Sequence, residues 1–455
     1  MPTNTPRHND AARLRRSAWL ALSMLLVWTT APVVAFAAAS DSASHAPTAR
    51  LIIVALADKP DPVPAAGSTP RGYGGLRNYA GGERAASTAA KLARDYNLRE
   101  ISAWTIDPLR LRCMLFEIPA AADREATLAQ LRHDDRVQLV QALQSFDTYA
   151  STRSDGGNAT WPTEPVTYND PYIDLQRGFT AIGAGDAQRW ASGAGVRVAL
   201  IDTGVDATHP DLAGRITEQR DFVVDPADSP GFDRHGTEVA GVIAAVANNR
   251  LGIVGVAPNA HIVSYRACWP AQVDASAARC NTFTLAQALG AAIASGAHII
   301  NLSLGGPSDP LLEQLTDYAV KHGSIVVGAV PLNGRMDGFP VDVAGVIAVT
   351  SVEDPRPDGA ALVAPGHDIL TLEPGGHYDY ASGSSLATAH VTAAIALLLE
   401  LDRHLDARAL FALLRGSQQA AAAPIDVCAA MGALSRTRGN CRKVVAQAGP
   451  SDATR

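Results

Sequence analysis

The alternation of hydrophobic and polar positions divides this chain into a short front region and a longer back region. In the front region, apolar runs of strand length alternate with segments whose alanines and leucines recur at helical spacing. The pattern predicts strands at 51–57, 101–106, 112–118 and 138–143, with helices at 83–96 and 123–131. This β-α-β-β-α-β order is the split βαβ plan of a small α+β, ferredoxin-like domain.

The back region, from Val166 onward, shows short uninterrupted apolar runs with helical segments between them. The runs lie at 196–201, 261–265, 299–302, 325–330 and 346–349. Strands that are apolar along their whole length are buried on both faces, so the pattern predicts an α/β fold with helices on both faces of a parallel sheet. In such sheets, functional side chains gather beyond the carboxyl ends of the strands.

The N-terminal segment has the pattern of an export signal. Arg15 and Arg16 precede an apolar run from Ala18 to Ala31, and Ala35-Phe36-Ala37 supplies small residues at the spacing that a signal peptidase recognises. The pattern predicts a signal peptide over residues 1–37 and a secreted or periplasmic protein with no membrane span after cleavage. The alternative is an uncleaved anchor, because the apolar run is almost long enough to cross a bilayer.

Composition predicts the remaining boundaries and excludes one class of function. Residues 151–168 are rich in Ser, Gly, Asn, Thr and Pro, as in an exposed linker between a front domain at 48–150 and a back domain at 169–441. Residues 442–455 form a polar tail. The 455 residues carry a net charge of −7, which argues against a nucleic-acid partner bound through a basic surface.

The five cysteines agree with export. Cys268 lies close to Cys280 in sequence, and Cys428 lies close to Cys441, so an oxidising compartment would favour two local disulfides. Zinc binding is the alternative, but no C-x-x-C or H-x-x-H pair stands beside them. Cys113 is left over and falls in the front domain.

Three polar side chains stand at the ends of elements in the back domain. Asp202 follows the strand at 196–201, His235 opens a helix, and Ser385 begins an apolar helix that runs to Leu399. Each alone has an ordinary structural explanation, as a turn former, a structural histidine or a helix cap. Together they are the groups with which an imidazole, oriented by a buried carboxylate, activates a serine hydroxyl. Asp, His, Ser is one of the known chain orders of this arrangement.

The segments around these residues resemble the subtilisin family of serine proteases. The matching motifs are Asp202-Thr203-Gly204, His235-Gly236-Thr237 and Gly383-Ser384-Ser385-Leu386-Ala387. The resemblance implies a subtilisin-like fold and a secreted serine endopeptidase acting on proteins or peptides. It implies that Asp202 orients the imidazole, that His235 is general base and then acid, and that Ser385 is the nucleophile. It also implies that the front domain is an inhibitory propeptide and the precursor a self-processing zymogen.

The same resemblance assigns residues that bind the substrate and the oxyanion. Ser303-Leu304-Gly305 resembles the strand that pairs with an extended substrate. Asn333 is the candidate oxyanion donor, although ungapped counting puts Leu332 at that place. This altered segment supports an alternative function, a catalytically impaired pseudoenzyme of the same fold that is exported as a binding or regulatory protein.

The resemblance implies no cofactor for the chemistry but does suggest a structural metal. Asp170, Asp211 and Asn249 match positions that supply oxygen ligands to Ca²⁺ in many family members. Oxygen ligands from separate loops suit this cation, and all three residue types also serve ordinary turns.

Overall fold

The computed structural model describes residues 48–58, 80–149, 167–223, 234–270, 278–357 and 359–434. The predicted signal peptide at 1–37, most of the predicted linker and the polar tail lie outside these ranges.

The described front region has the predicted β-α-β-β-α-β order of elements. Its elements are β1 (Leu51–Ala57), α1 (Ala80–Asp95), β2 (Arg99–Ile106), β3 (Leu111–Glu117), α2 (Arg124–Arg132) and β4 (Val137–Ala142). The strands form one antiparallel sheet in the order β2-β3-β1-β4. A short strand, β5 (Ser145–Thr148), follows directly.

The described back region is longer and alternates strands with helices. Its first elements are α3 (Arg177–Ala181), α4 (Ala184–Ala187), β6 (Arg197–Asp202), β7 (Ile216–Asp221), α5 (Arg234–Ala244), β8 (His261–Arg266), β9 (Cys268–Pro270), β10 (Ala278–Asn281), α6 (Thr282–Ala294), β11 (Ile299–Leu302), β12 (Leu304–Gly305) and α7 (Pro310–Lys321). The later elements are β13 (Ile325–Ala329), β14 (Ile347–Ser351), β15 (Leu362–Ala364), β16 (Ile369–Glu373), β17 (His377–Ala381), α8 (Ser384–Leu401), α9 (Ala407–Ser417) and α10 (Val427–Leu434).

The main sheet confirms the predicted α/β fold. Its strands run in the order β15-β14-β13-β11-β6-β8-β7, and every neighbouring pair is parallel. Alternate residues of β6 face opposite cores, as the period of two in a strand requires. Val198 and Leu200 pack in the cluster that contains α5 and α8, whereas Ala199 and Ile201 pack in the cluster that contains α6 and α7.

The longest core element is α8, which begins at the predicted nucleophile. By length and composition alone it could cross a bilayer, but 89% of the apolar window is buried inside the protein. An apolar sequence all round the helix is what a fully enclosed position requires.

The front sheet is buried on both faces by different parts of the chain. On β1, Ile52 and Val54 pack with the front region's own helices, whereas Ile53 and Ala55 join the cluster of α6 and α7. Trp104 on β2 meets Phe283 on α6 edge to face, with ring centroids 5.0 Å apart. The front region therefore docks on the outer surface of α6 and α7.

Candidate active site

Two of the three predicted catalytic side chains meet at the carboxyl end of β6. Asp202 is the last residue of this strand, and His235 lies in the first turn of α5, at the helix start that the sequence analysis predicted. His235 Nδ1 donates to Asp202 Oδ1 over 2.7 Å, and both residues are buried. The backbone N–H of Thr203 donates to the same oxygen over 2.7 Å. The carboxylate thus fixes the ring so that Nε2 is the nitrogen available for chemistry.

Gly236 allows this close approach. The first turn of α5 packs so tightly on the loop after β6 that a Cβ at residue 236 would overlap the carbonyl oxygen of Gly204. Thr203 Oγ1 accepts a hydrogen bond from the Gly236 N–H at 3.0 Å, which ties the loop to the helix. A glycine beside the histidine is therefore a structural requirement for the contact between Asp202 and His235.

The electrostatic surroundings favour a protonated form of His235. Burial is the largest effect and lowers the pKa of the imidazole, but the charge and hydrogen bond of Asp202 and the charge of Glu238 outweigh it. The pKa of His235 is therefore raised above its ordinary value. His235 Nε2 is buried and has no hydrogen-bond partner among the described residues. A base with an open nitrogen and a stabilised cationic form suits proton transfer.

Ser385 lies in the first turn of α8, but its hydroxyl does not reach the histidine. Ser385 Oγ donates to the carbonyl oxygen of Ser303 over 3.0 Å, and Ser303 Oγ donates back to the Ser385 carbonyl over 3.1 Å. Ser385 Oγ and His235 Nε2 therefore form no hydrogen bond with each other in this structure. No side chain in the described part of the chain caps the N-terminus of α8 at Gly383, which leaves this positive helix end facing the site.

Asn333, the predicted oxyanion donor, lies on an exposed turn after β13. Its Oδ1 accepts a hydrogen bond from the Arg335 N–H at 2.9 Å, as in an ordinary Asx turn, and Gly334 has a positive φ of 72°. The neighbouring Leu332 is 45% exposed. The Asn333 oxygen is thus engaged within its own turn, and the described residues show no hydrogen bond between Asn333 and Ser385.

The predicted substrate strand is paired with the chain's own β5. A second sheet has the order β12-β5-β10-β9, in which β5 runs antiparallel to both of its neighbours. Leu304 pairs with Thr148 and Gly305 pairs with Asp147. The cleft that Ser303, Leu304 and Gly305 were predicted to line therefore holds an extended segment from the end of the front region.

The glycines of this cleft leave room for two aromatic side chains of the inserted segment. A Cβ at Gly305 would overlap the hydroxyl of Tyr149, and a Cβ at Gly306 would crowd the ring of Phe146. Phe146 is fully buried and packs edge to face on Phe339, with centroids 5.7 Å apart. Sequence reasoning missed β5, although Phe146 and Tyr149, three residues apart beside the predicted linker, were the signal available.

A disulfide closes the hairpin on the other side of this cleft. Cys268 on β9 is joined to Cys280 on β10, as predicted, and Cys280 pairs with Phe146 of β5. Cys113 is a buried free thiol in the front sheet, and burial raises its pKa to about 12. Cys441 lies outside the described residues, so its predicted bond to Cys428 stays a prediction.

The three predicted calcium ligands meet, but their arrangement does not fit a calcium cage. Asp170 accepts hydrogen bonds from the N–H groups of Asn248 and Asn249 at 2.8 and 3.3 Å. Asp211 accepts from the Asn249 side-chain amide at 2.7 Å and from the Ile253 N–H at 3.0 Å. Asn249 thus turns a donor toward Asp211, where a cation would need its oxygen. The described residues contain no group of three or more His, Cys, Asp or Glu able to hold a metal ion.

Removal of divalent cations tests this arrangement. Because hydrogen bonds to the two aspartates hold the loop together, we expect the calorimetric melting midpoint of the purified protein to be the same with and without EDTA. A metal that binds only the folded state would raise the midpoint. A fall of about 4 °C or more on chelation, roughly 2 kcal/mol for a domain of this size, would contradict the expectation and support calcium.

Comparisons with known proteins identify a match over the back region. Residues 193–427 match the profile described as "Subtilase family". The chain is 38% identical over 320 residues to "Thermophilic serine proteinase" from Bacillus sp. (strain AK1), covering 68% of this chain and 74% of that protein. It is 35% identical over 262 residues to "Intracellular serine protease" from Paenibacillus polymyxa, covering 53% of this chain and 77% of that protein.

A solved structure with a similar fold is fervidolysin from Fervidobacterium pennivorans, described as a keratinolytic enzyme related to subtilisin. It superposes with a TM-score of 0.64 at 22% identity, and the match covers 84% of this chain. The chain spans 60% of the length of fervidolysin, and at this identity the likeness shows the fold alone.

Proposed function

Because this chain belongs to the subtilase family of serine endopeptidases, we propose that Asp202, His235 and Ser385 hydrolyse peptide bonds and that the protein is made as a self-processing zymogen. The observation that carries the proposal is the buried bond of 2.7 Å from His235 Nδ1 to Asp202, which leaves Nε2 without a hydrogen-bond partner among the described residues. Because subtilases are endopeptidases, we propose proteins or peptides as the substrates of this chain.

The chemistry proceeds through an acyl-enzyme. Ser385 Oγ turns from the Ser303 carbonyl to His235 Nε2, gives up its proton there and forms a bond to the substrate carbonyl carbon. Asp202 stabilises the imidazolium that results, and the N–H groups at the start of α8 face the developing oxyanion. The imidazolium then protonates the leaving amine as the carbon–nitrogen bond breaks. A water molecule then attacks the acyl carbon while His235 Nε2 takes one of its protons. The bond to Ser385 Oγ breaks, His235 returns the proton to that oxygen, and the carboxylic acid product is released.

The front region acts as the intramolecular inhibitor in this proposal. Its strand β5 fills the cleft between β10 and β12, so another extended chain has no free edge to pair with. Gln141 on β4 supports the docking, because its amide donates to Asp309 at 2.7 Å and accepts from the Leu311 N–H at 3.1 Å. Asp309 caps α7 and is fully buried in this contact.

The strand register predicts the point of self-cleavage. Because Gly305 pairs with Asp147 and Leu304 with Thr148, the next residue, Tyr149, stands opposite Ser303, whose carbonyl touches Ser385. The peptide bond after Tyr149 is therefore the one presented to the nucleophile. We expect mass spectrometry of the mature protein to find an N-terminus directly after Tyr149. An N-terminus elsewhere would contradict the register argument.

We also propose export, with removal of residues 1–37. The basic and apolar pattern of the N-terminus and the disulfide between Cys268 and Cys280 support an oxidising destination. The family does not fix the compartment, since one relative carries the name "Intracellular serine protease".

The second candidate function is that of an exported binding or regulatory protein with impaired catalysis. It is favoured by the Ser385 hydroxyl bonded to Ser303 and by the exposed turn that holds Asn333. The two candidates separate on a single measurement, the hydrolysis of a denatured protein by the purified chain. Hydrolysis and shortening of the precursor support the protease, whereas a stable precursor with no hydrolysis supports the binding protein.

A further inference from the structure

A second charged cluster shares helix α5 with the histidine. Arg234 and Glu238 stand one helical turn apart on α5, and Glu373 ends β16, which packs against this helix. Arg234 Nε donates to Glu238 at 2.9 Å, and Arg234 Nη2 lies 2.5 Å from a Glu373 oxygen. The Glu238 side chain is 2% exposed and that of Glu373 is 15% exposed. One guanidinium therefore serves two carboxylates that are largely removed from water.

This charge balance favours a proton on Glu373. Two ionised carboxylates that share one cation in a dry site repel each other, and taking up a proton relieves the repulsion. Burial is the largest cause that raises the pKa of Glu373, to about 7; Arg234 lowers it, and the charges of Glu238 and Asp379 raise it further. On the β16–β17 hairpin, His377 stands opposite Glu373. Helix α3 also packs against β16, and its charged residue, Arg177, is exposed.

The pair is coupled to the active site through α5. Glu238 follows His235 by three residues on this helix, so the two side chains share a face. The negative charge of Glu238 acts in the same direction as that of Asp202, raising the pKa of the imidazole. Thr371 Oγ1 donates to the Glu238 carbonyl at 2.6 Å, which fixes β16 against the helix. Glu373 is therefore linked through Arg234 to Glu238, the carboxylate whose charge acts on the imidazole.

We propose that Glu238 and Glu373, joined by Arg234, are positioning residues, and that a proton carried by Glu373 controls the charge of the cluster next to the His235 imidazole. This inference rests on the proposed function, because it assigns His235 the role of base. When Glu373 loses this proton, a second negative charge appears in the cluster and the imidazolium becomes more stable. His235 then keeps its own proton to higher pH.

The sign of this coupling gives the pH profile a recognisable shape. As pH rises through neutrality, loss of the proton from Glu373 raises the pKa of His235, so the two ionisations oppose each other. The acid limb of kcat/KM, which requires a neutral imidazole, should therefore extend over a wider pH range than a single ionisation allows. A residue with a purely structural role would lower the plateau without changing this shape.

Glu373→Gln tests the pair without removing its bond to Arg234, because the amide oxygen still accepts. The measurement is the pH profile of kcat/KM of the matured variant on a peptide p-nitroanilide. We expect its acid limb to fit a single ionisation and to lie roughly 0.5–1 pH unit lower than that of the unaltered enzyme. Glu238→Gln, nearer the ring, should move the limb further. The matched control is Glu313→Gln, since burial also raises the pKa of this carboxyl but Asp342 and Asp309 are the charges that face it. An acid limb in Glu373→Gln identical to that of the unaltered enzyme would overturn the proposal.

A second readout separates failure of the pair from failure of catalysis. NMR titration of His235 in the Ser385→Ala protein requires no turnover, and adding Glu373→Gln to that protein should lower the histidine midpoint by the same 0.5–1 unit. An unaltered enzyme that shows no hydrolysis at any pH would contradict the proposed function alone. A histidine midpoint unmoved by Glu373→Gln would contradict the inference, whatever the activity.

Discussion

Ser385→Ala is expected to abolish both hydrolysis and self-processing. The substitution removes the hydroxyl that attacks the carbonyl carbon, and the loss measured on removing the nucleophile of another subtilase is about 10⁶-fold in kcat. Among the described residues the buried hydroxyl bonds only to the Ser303 carbonyl, so the fold should persist. The precursor should therefore accumulate, and its N-terminus after export should follow Ala37 instead of Tyr149. Mass spectrometry of the purified protein together with a protein-hydrolysis assay measures both effects.

Ser384→Ala is the matched control for this result. It deletes the same atom one residue earlier on α8, where the hydroxyl donates to the Val330 carbonyl at 2.9 Å. Leaving that acceptor unpaired costs about 1–3 kcal/mol of stability but removes no reacting group. We expect this variant to mature and to hydrolyse substrate. Equal loss in both variants would show that the start of α8, and not the Ser385 hydroxyl, limits activity.

Gly236→Ala is expected to produce the second largest loss, although residue 236 touches no substrate. Its Cβ would overlap the Gly204 carbonyl, so the first turn of α5 must move away from the loop that carries Asp202. The bond from His235 to Asp202 would lengthen, and the imidazole would lose its fixed orientation. We expect kcat to fall about 10³–10⁴-fold, the size of loss seen when a serine protease loses the orienting carboxylate. Steady-state kinetics on a peptide substrate measures this directly.

Gly290→Ala supplies the helix control for this variant. Gly290 also lies within a helix, α6, but a Cβ there would meet nothing within 4 Å. Alanine in an open helical position stabilises by roughly 0.5–1 kcal/mol, so activity should be retained and the melting midpoint should rise. If Gly236→Ala fails to fold, Asp202→Asn removes the orienting charge with no added volume. Full activity in a folded Gly236→Ala protein would contradict the role given to this contact.

The parallel sheet and the residues at its carboxyl edge could be predicted because their signals are local. The uninterrupted apolar run before Asp202 indicates a strand buried on both faces, and the apolar helix after Ser385 indicates a central position. His235 was predicted to open a helix and does lie in the first turn of α5, although the neighbouring glycine has low helix propensity. Tertiary packing of Gly236 against the Gly204 loop overrides that propensity.

The contents of the cleft could not be predicted because the contacts are distant in sequence. β5 has four residues and pairs with strands more than 130 positions further along the chain, so no local period indicates it. The contact of Arg234 with Glu373 is equally distant, although the charged Glu238 within an apolar helix was a visible sign. For Asn333, the Asn-Gly dipeptide favoured a turn, and a turn is what the structure has.

The most direct test of the account is the site at which a fluorophosphonate reacts with the matured protein. If Ser385 is the nucleophile, its oxygen displaces fluoride from phosphorus while His235 takes the proton. The account predicts one adduct on the tryptic peptide that contains Ser385, formed more slowly as the pH falls below the raised pKa of His235. A matured, folded protein with no adduct, or with its adduct on another residue, would contradict it.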